Sequence, residues 1–315
     1  MSRYVLKRLL WLIPTLLGVT ILIFTIMYFI PGDPVSIMMP NATDDEIELA
    51  REMLGLNGGY FERLWEYTKG VFFHFNLGTS FVSGSSVTAD IMTRFPRTIT
   101  LAIVSMLLSV VIGMPLGIIA ALHHNSPGDR SAMVVAIFGV SMPPFWLGIL
   151  LVLLFSVKLK LLPAFGIGSL KYYILPALAN CFQGVAGFAR QTRSSVLECV
   201  RADYVTTARS KGVTEKRVLW RHIIPNSLIP IITYAGTQFS KLLAGAIVIE
   251  NVFSIPGVGT YMVNAINKRD YGAVQGSVIF SSLTFCLIML AVDIIYAYVD
   301  PRIKAQYESK GARKK

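Results

Sequence analysis

Charge is scarce in this chain: Asp, Glu, Lys and Arg make up 15% of its 315 residues, where a soluble domain carries about 25%. Cysteine is scarcer still. Cys181, Cys199 and Cys286 are scattered with no CxxC pair, which excludes a disulfide framework or a zinc site of ordinary spacing. The four histidines include no HExxH, so the zinc-protease pattern is missing too. Glycine is nowhere followed by lysine. A G-x-x-x-x-G-K-[ST] loop is therefore absent, and the chain has no P-loop with which to cradle nucleotide phosphates. No Ser/His/Asp pattern and no paired carboxylates within the apolar runs suggest a catalytic centre. The chain reads as a non-enzyme with no cofactor or metal site of its own.

Apolar residues are abundant instead, at 54% of the chain, with a mean hydropathy of +0.59. Runs of about 18 or more such residues read as membrane spans. Six segments emerge: Leu9–Ile30, Thr98–Leu122, Ser131–Val157, Tyr172–Phe188, Ser227–Ile249 and Ser277–Tyr298. The expectation is an all-α integral membrane protein with six transmembrane helices. The first run is too long for a signal-peptide core and is followed by no small-x-small cleavage site, so it reads as a retained span.

The net charge of +11 would raise the question of nucleic acid in a soluble protein. Here the charge is segregated into the loops, so membrane orientation explains it and no nucleic-acid partner is expected. With the N-terminus inside, the inner segments hold 18 of the 29 basic residues and the longer outer segments ten, with Lys241 in a span. That bias places both termini in the cytoplasm.

Asn180 and Gln183 make the fourth segment the most polar, and polar groups there must face other helices or a watery cavity. Pro14, Pro115, Pro143, Pro144, Pro176 and Pro230 predict kinks, which neighbouring helices can accommodate. Gly113, Gly117, Ala120 and Ala121 permit close helix contacts. The first outer loop, Pro31–Arg97, is mildly acidic, with nine Asp/Glu against five Lys/Arg. Within it Thr43 and Glu46 form a capping-box pattern, and Ile47, Ala50, Met53 and Leu54 follow at helical spacing. A short helix on the outer face is expected, as a docking surface or as a lid. At the other end the tail "ESKGARKK" reads as disordered.

Between the fourth and fifth spans lies "ADYVTTARSKGVTEKRVLWRHIIPNS", Ala202–Ser227. Val205, Ala208 and Gly212 recur at helical spacing, and Asp203 lies where a helix dipole favours negative charge. Gly212 ends this helix or lets another backbone approach, and Pro225 with Asn226 opens the fifth span. Fixing topology requires only Lys and Arg. A run of small residues before a glycine adds the alternative of a docking surface.

At this stretch the chain resembles a known family. "TTARSKGVTEKRVLWRHIIP" is similar to the loop signature EAA-x3-G-x9-I-x-L-P of binding-protein-dependent ABC importer permeases. Thr206, Thr207 and Ala208 fall on EAA, Gly212 on the glycine, His222 and Ile224 on the apolar positions and Pro225 on the proline. The departures are the missing acid and His222. The version D-Y-[VI]-R-T-A-R-[AS]-K-G of the dipeptide, oligopeptide and nickel subfamily matches from Asp203 to Gly212, except that Thr206 replaces Arg. Further similarity lies in "IPGDP" (Ile30–Pro34), "SMPPFWLG" (Ser141–Gly148), "ARQTRSSVLE" (Ala189–Glu198) and "LLAGAIVIENVFSIPGVG" (Leu242–Gly259). It continues in "RDYGAVQG" (Arg269–Gly276) and "VDIIYAYVDPRI" (Val292–Ile303). The resemblance thus spans nearly the whole chain and is greatest to the first of the two permeases in such systems.

The resemblance implies a type I ABC importer permease fold in the bacterial cytoplasmic (inner) membrane, multi-pass. Residues 1–97 would form the first span and the long outer loop, 98–300 a five-helix core, and 301–315 a cytoplasmic basic tail. A coupling helix at about 203–218 would seat on an ATPase through Asp203, Tyr204, Thr206, Thr207, Ala208, Arg209, Lys211 and Gly212. The implied partners are a second permease, two cytoplasmic ATPases that bind the ATP and Mg, an extracytoplasmic binding protein and the bilayer. Dipeptides or oligopeptides are the expected substrates, with nickel, glutathione or another small solute as alternatives, and an ATP-independent channel or carrier as the rival class.

Ionisable groups within spans are functional candidates by default, here Lys241, Glu250 and Asp293. Glu250, with Pro256 and Gly257, is a candidate for the pathway or gate. Glu250 could equally bind backbone amides of "NVFSIPGVG". His123 and His124 read as a solvated turn or as an ATPase contact.

Overall fold

The structure is a computed structural model that describes residues 2–299 apart from 34, 37, 38 and 40. The basic tail at 301–315 and Pro34 of the IPGDP segment lie outside the described residues. Among the described residues there is no strand, only an isolated bridge between Thr79 and Ser86. The helices are α1 (Ser2–Phe29), α2 (Asp44–Met53), α3 (Tyr60–His74), α4 (Val87–Leu122), α5 (Pro127–Ser141) and α6 (Pro144–Leu151). They continue with α7 (Lys171–Val200), α8 (Asp203–Ser210), α9 (Glu215–Val218), α10 (Ile224–Val252), α11 (Val258–Asn267) and α12 (Tyr271–Val299). Short π-helical turns at Val152–Lys158 and Leu219–Ile223 extend α6 and join α9 to α10.

Among the described residues, four helical stretches are long and apolar enough to cross a bilayer: Arg8–Phe29, Val87–Leu122, Glu215–Val252 and Tyr271–Ile295. The expected third span is broken: α5 and the α6 segment meet at a bend of 100°. Pro143 and Pro144 cause it, since neither has an N–H to continue the helix. The expected fourth span lies inside α7, whose polar residues keep it below the hydropathy of the other four.

The helix α2 begins as its residues dictate. The Glu46 carboxylate accepts the Thr43 backbone N–H at 2.8 Å and the Thr43 hydroxyl at 3.1 Å. These bonds, the backbone one foremost, hold the Glu46 carboxyl below its ordinary value.

The chain divides into two compact units. One comprises residues 2–98 and 256–287. Its core joins Ile23 and Met27 of α1, Val71 of α3, Val87 and Ile91 of α4, Val258 and Ala265 of α11, and Phe280 of α12. Asp270, 4% exposed, is its polar hub. Its carboxylate accepts the Ala273 N–H in the first turn of α12 at 3.2 Å, the Phe81 N–H at 2.9 Å, and the Ser80 hydroxyl. Beside it Gly272 leaves room for the Thr79 carbonyl, which a Cβ would strike.

The other unit comprises, among the described residues, 99–255 and 288–299, with α7 packed against α5, α6 and α10. A Cβ at Gly113 would fall 2.6 Å from the Val185 carbonyl oxygen, and one at Gly117 2.5 Å from that of Ala189. Both glycines therefore bring α4 onto the backbone of α7. The polar residues of α7 face its neighbours. Gln183 donates its amide to the carbonyls of Val140 at 3.2 Å and Met142 at 3.1 Å, beside the prolines. Buried Asn180 donates to the Ser105 hydroxyl at 3.2 Å. The carbonyls at the bend thus gain partners inside the protein, as the absence of water demands.

Candidate functional site

The loop signature folds as a short helix, a tight reversal and a second helix start. Ala202, extended at φ −75° and ψ 146°, precedes α8, and Asp203 opens it, where the free N–H groups favour an acid. Val205 and Ala208 turn inward and pack with Ala121, Val196, Val218 and Ile223. The apolar spacing of the loop is therefore an anchor onto this chain's own core. Ala208 is 7% exposed, whereas Asp203, Tyr204, Thr206, Thr207, Arg209, Lys211 and Gly212 are exposed. Burial of part of its ring, and then the neighbouring Cys199 thiol, push the Tyr204 phenol up to about 12.

Gly212 ends α8 at φ +75°. Its N–H reaches the Arg209 carbonyl at 2.9 Å, and the Val213 N–H reaches that of Ala208 at 3.3 Å. This is the Schellman closure, in which a left-handed residue satisfies the last carbonyls of a helix. Across the reversal Arg209 grips Glu215 in a fork, Nε to Oε1 at 2.7 Å and Nη2 to Oε2 at 3.1 Å. Both side chains are exposed, where water and salt screen an ion pair, so the fork fixes geometry more than stability. The π turn that follows ends where Pro225 lacks an N–H. There Asn226 Nδ2 donates to the His222 carbonyl at 2.7 Å.

Two features of this region were not singled out by the loop signature. Trp220 stands 62% exposed in the π-helical turn Leu219–Ile223 that leads into α10. Asp129 on α5, 3% exposed, receives Arg193 of α7 through Nε at 2.6 Å and Nη2 at 2.7 Å, together with the Asn125 N–H at 2.9 Å. His124 Nδ1 lies 3.0 Å from the same guanidinium, and His123 Nδ1 is 3.1 Å from the Ile119 carbonyl. Arg193 lies within "ARQTRSSVLE", but its partner is 64 residues away.

The other candidates lie apart from this surface. Glu250 is fully buried, and its carbonyl accepts the Ile255 N–H at 2.8 Å across the left-handed Ser254, φ +51°. In the unit holding Pro256 and Gly257, the Pro256 carbonyl accepts Arg97 Nη1 at 3.2 Å. Gly257 caps α11, whose Val258 N–H donates to the Thr98 hydroxyl at 2.9 Å. Lys241 is exposed and Asp293 half-buried. Among the described residues no three His, Cys, Asp or Glu side chains gather as metal ligands.

The family model described as "Binding-protein-dependent transport system inner membrane component" matches residues 113–305, and its N-terminal companion matches residues 1–102. The chain belongs to this family: it is an ABC importer permease of the dipeptide, oligopeptide and nickel group. It is 43% identical over 305 residues to the glutathione transport system permease protein GsiC of Escherichia coli O6:H1, covering 96% of this chain and 99% of the relative. The GsiC protein of Salmonella choleraesuis is also 43% identical over 305 residues. Among solved structures, the inward-facing MetNI methionine ABC transporter superposes with a TM-score of 0.58 at 17% identity, covering 67% of this chain and 96% of that one. At that identity the likeness carries the fold alone. An inner-membrane component of this family works with a substrate-binding protein and with ATPase subunits that are separate chains.

Proposed function

We propose that the exposed face of α8 and its Gly212 turn is the surface through which partner ATPases drive this permease. One observation carries the reading: the family's loop signature is folded so that Val205 and Ala208 anchor it to the core while Asp203, Thr206, Thr207, Arg209 and Lys211 stay outside. A short helix tied to the end of a long one transmits a push without absorbing it. ATP closes two ATPases, which bind the ATP and Mg; the paired coupling helices approach; the permeases pass from inward to outward opening. Such a switch requires contacts that differ between the two states. A second permease completes the pathway, and a binding protein delivers the solute.

Six spans with both termini in the cytoplasm fit this arrangement. The four long apolar helices supply four, the bent α5–α6 pair a fifth, and α7 the sixth, its Asn180 and Gln183 being satisfied by neighbours. The basic residues distribute as that topology requires. The solute is a short peptide. The GsiC relatives are named for glutathione, a tripeptide, so glutathione and dipeptides are the first two to compare.

Gentle extraction of the tagged chain followed by mass spectrometry tests the assembly. Recovery of a second permease with P-loop ATPases supports it. Recovery of the chain alone, with solute flux in ATP-free liposomes, overturns it. ATP-driven uptake of glutathione against a dipeptide, with the companion binding protein, then decides the solute.

A further inference from the structure

The helix α3 has three sides. One packs into its own unit through buried Val71 and half-buried Tyr67 and Phe72. A second, with Glu62, Arg63 and Glu66, lines an open cavity of about 540 Å³. The third carries Phe61, Trp65 and Phe73, exposed at 81%, 66% and 78%, with exposed Lys69 in the same line. Their spacing of i, i+4, i+8 and i+12 makes one row that winds about 120° round the helix from Phe61 to Phe73. A stripe of three large aromatic side chains this open is not an ordinary water-facing surface.

The position of α3 says what covers the stripe. Its first residue, Tyr60, shares a hydrogen bond of 2.7 Å with Thr25 of α1. The Tyr60 ring lies 5.8 Å from Phe24 and 5.1 Å from Tyr28, and the Tyr67 ring 5.9 Å from Phe24. The Arg63 guanidinium sits over the Tyr28 ring at 5.3 Å. These contacts hold α3 level with the final turns of a membrane-spanning helix. At that level α1 itself exposes Leu22, Ile26 and Phe29, at 60%, 49% and 72%, so both helices present large apolar side chains uncovered by their own unit near the end of a candidate span.

We propose that α3 lies in the membrane–water interface at the C-terminal end of α1, with phospholipid as the partner of its aromatic stripe. Trp settles at the boundary between headgroups and acyl chains, and Phe joins it on the apolar side of an in-plane helix. Lys69 extends from the stripe to the lipid phosphates, while Glu62 and Glu66 keep the cavity side in water. The division into apolar and charged sides is that of an in-plane interfacial helix. The inference needs only that α1 spans the membrane, and it stands whatever solute is carried.

The test uses the full chain in phosphatidylcholine vesicles, with Trp11, Trp146 and Trp220 each replaced by Phe so that Trp65 is the sole tryptophan. Nitroxide lipid labelled at the top of the acyl chain should quench Trp65 more strongly than lipid labelled deep in the chain, and aqueous iodide should quench it little. Quenching by iodide without quenching by lipid overturns the proposal, as does shielding from both, which would mean a protein contact. Spin labels introduced through Phe61→Cys and Glu62→Cys, in a chain whose three native cysteines are replaced by Ser, give a second reading that spares Trp11. Oxygen should relax the first label and an aqueous nickel chelate the second; nickel access equal at both positions would also overturn it.

Discussion

Arg193 holds both carboxylate oxygens of Asp129, at 2.6 and 2.7 Å, and so latches the turn between α4 and α5 to the last third of α7. The latch sits about two turns before α7 ends at Val200. Removing either partner leaves the other charge without its ion pair and opens the contact between the turn and α7. Asp129→Asn and Arg193→Gln should each lower the melting temperature of the purified chain. The double variant should recover part of the loss. Additive losses would mean that the two residues act separately.

The turn at Gly212 offers a graded test. A Cβ there would meet nothing within 4 Å, so a substitution acts through the backbone alone. At φ +75° an alanine costs about 1 kcal/mol, and asparagine less, since it tolerates this conformation. Gly212→Ala should leave the protein folded and lower the solute carried per ATP hydrolysed, with Gly212→Asn intermediate. Uptake and hydrolysis measured together on the same proteoliposomes read this directly.

Gln183 closes the bend between α5 and α6. Replacing it with Leu removes the side-chain donor from the Val140 and Met142 carbonyls, and the part-buried Met142 carbonyl loses a hydrogen bond worth about 1 kcal/mol. Gln183→Leu should be less thermostable in detergent despite its greater hydrophobicity. Equal or higher stability would show that the bend is held by packing.

Two helical glycines should respond oppositely to alanine. Gly117→Ala drives a Cβ to 2.5 Å from the Ala189 carbonyl oxygen and should destabilise by roughly 1–3 kcal/mol. Nothing lies within 4 Å of a Cβ at Gly18, so Gly18→Ala should stabilise α1 by about 0.5–1 kcal/mol. Thermal midpoints of the two variants, compared with the parent chain, check the pair.

Much of the helical content was legible in advance because it rests on local chemistry. Apolar runs become helices in lipid because nothing else satisfies the backbone. Thr43 and Glu46 met as their spacing required, and Gly212 ended α8 because its left-handed conformation disfavours other residues. Boundaries were less legible. The helix of the second span begins at Val87 and that of the last at Tyr271, ahead of the apolar runs that announced them. Val205 and Ala208 were visible as a small apolar edge, but spacing alone does not say whether such an edge meets a partner or the chain's own core.

The sequence by itself determined the membrane setting, the run of helices, the missing phosphate loop and the family signature. Each follows from composition or from residues within one helical turn or one loop. Only the tertiary structure decided that Arg193 meets Asp129, that Gln183 serves the break beside Pro143 and Pro144, and that Ala208 turns inward while Arg209 stays out. It also decided that α3 lies along the end of α1 with its aromatic stripe uncovered. Those outcomes depend on which helices pack together, and pairings made across dozens of residues leave no periodicity for the sequence to display.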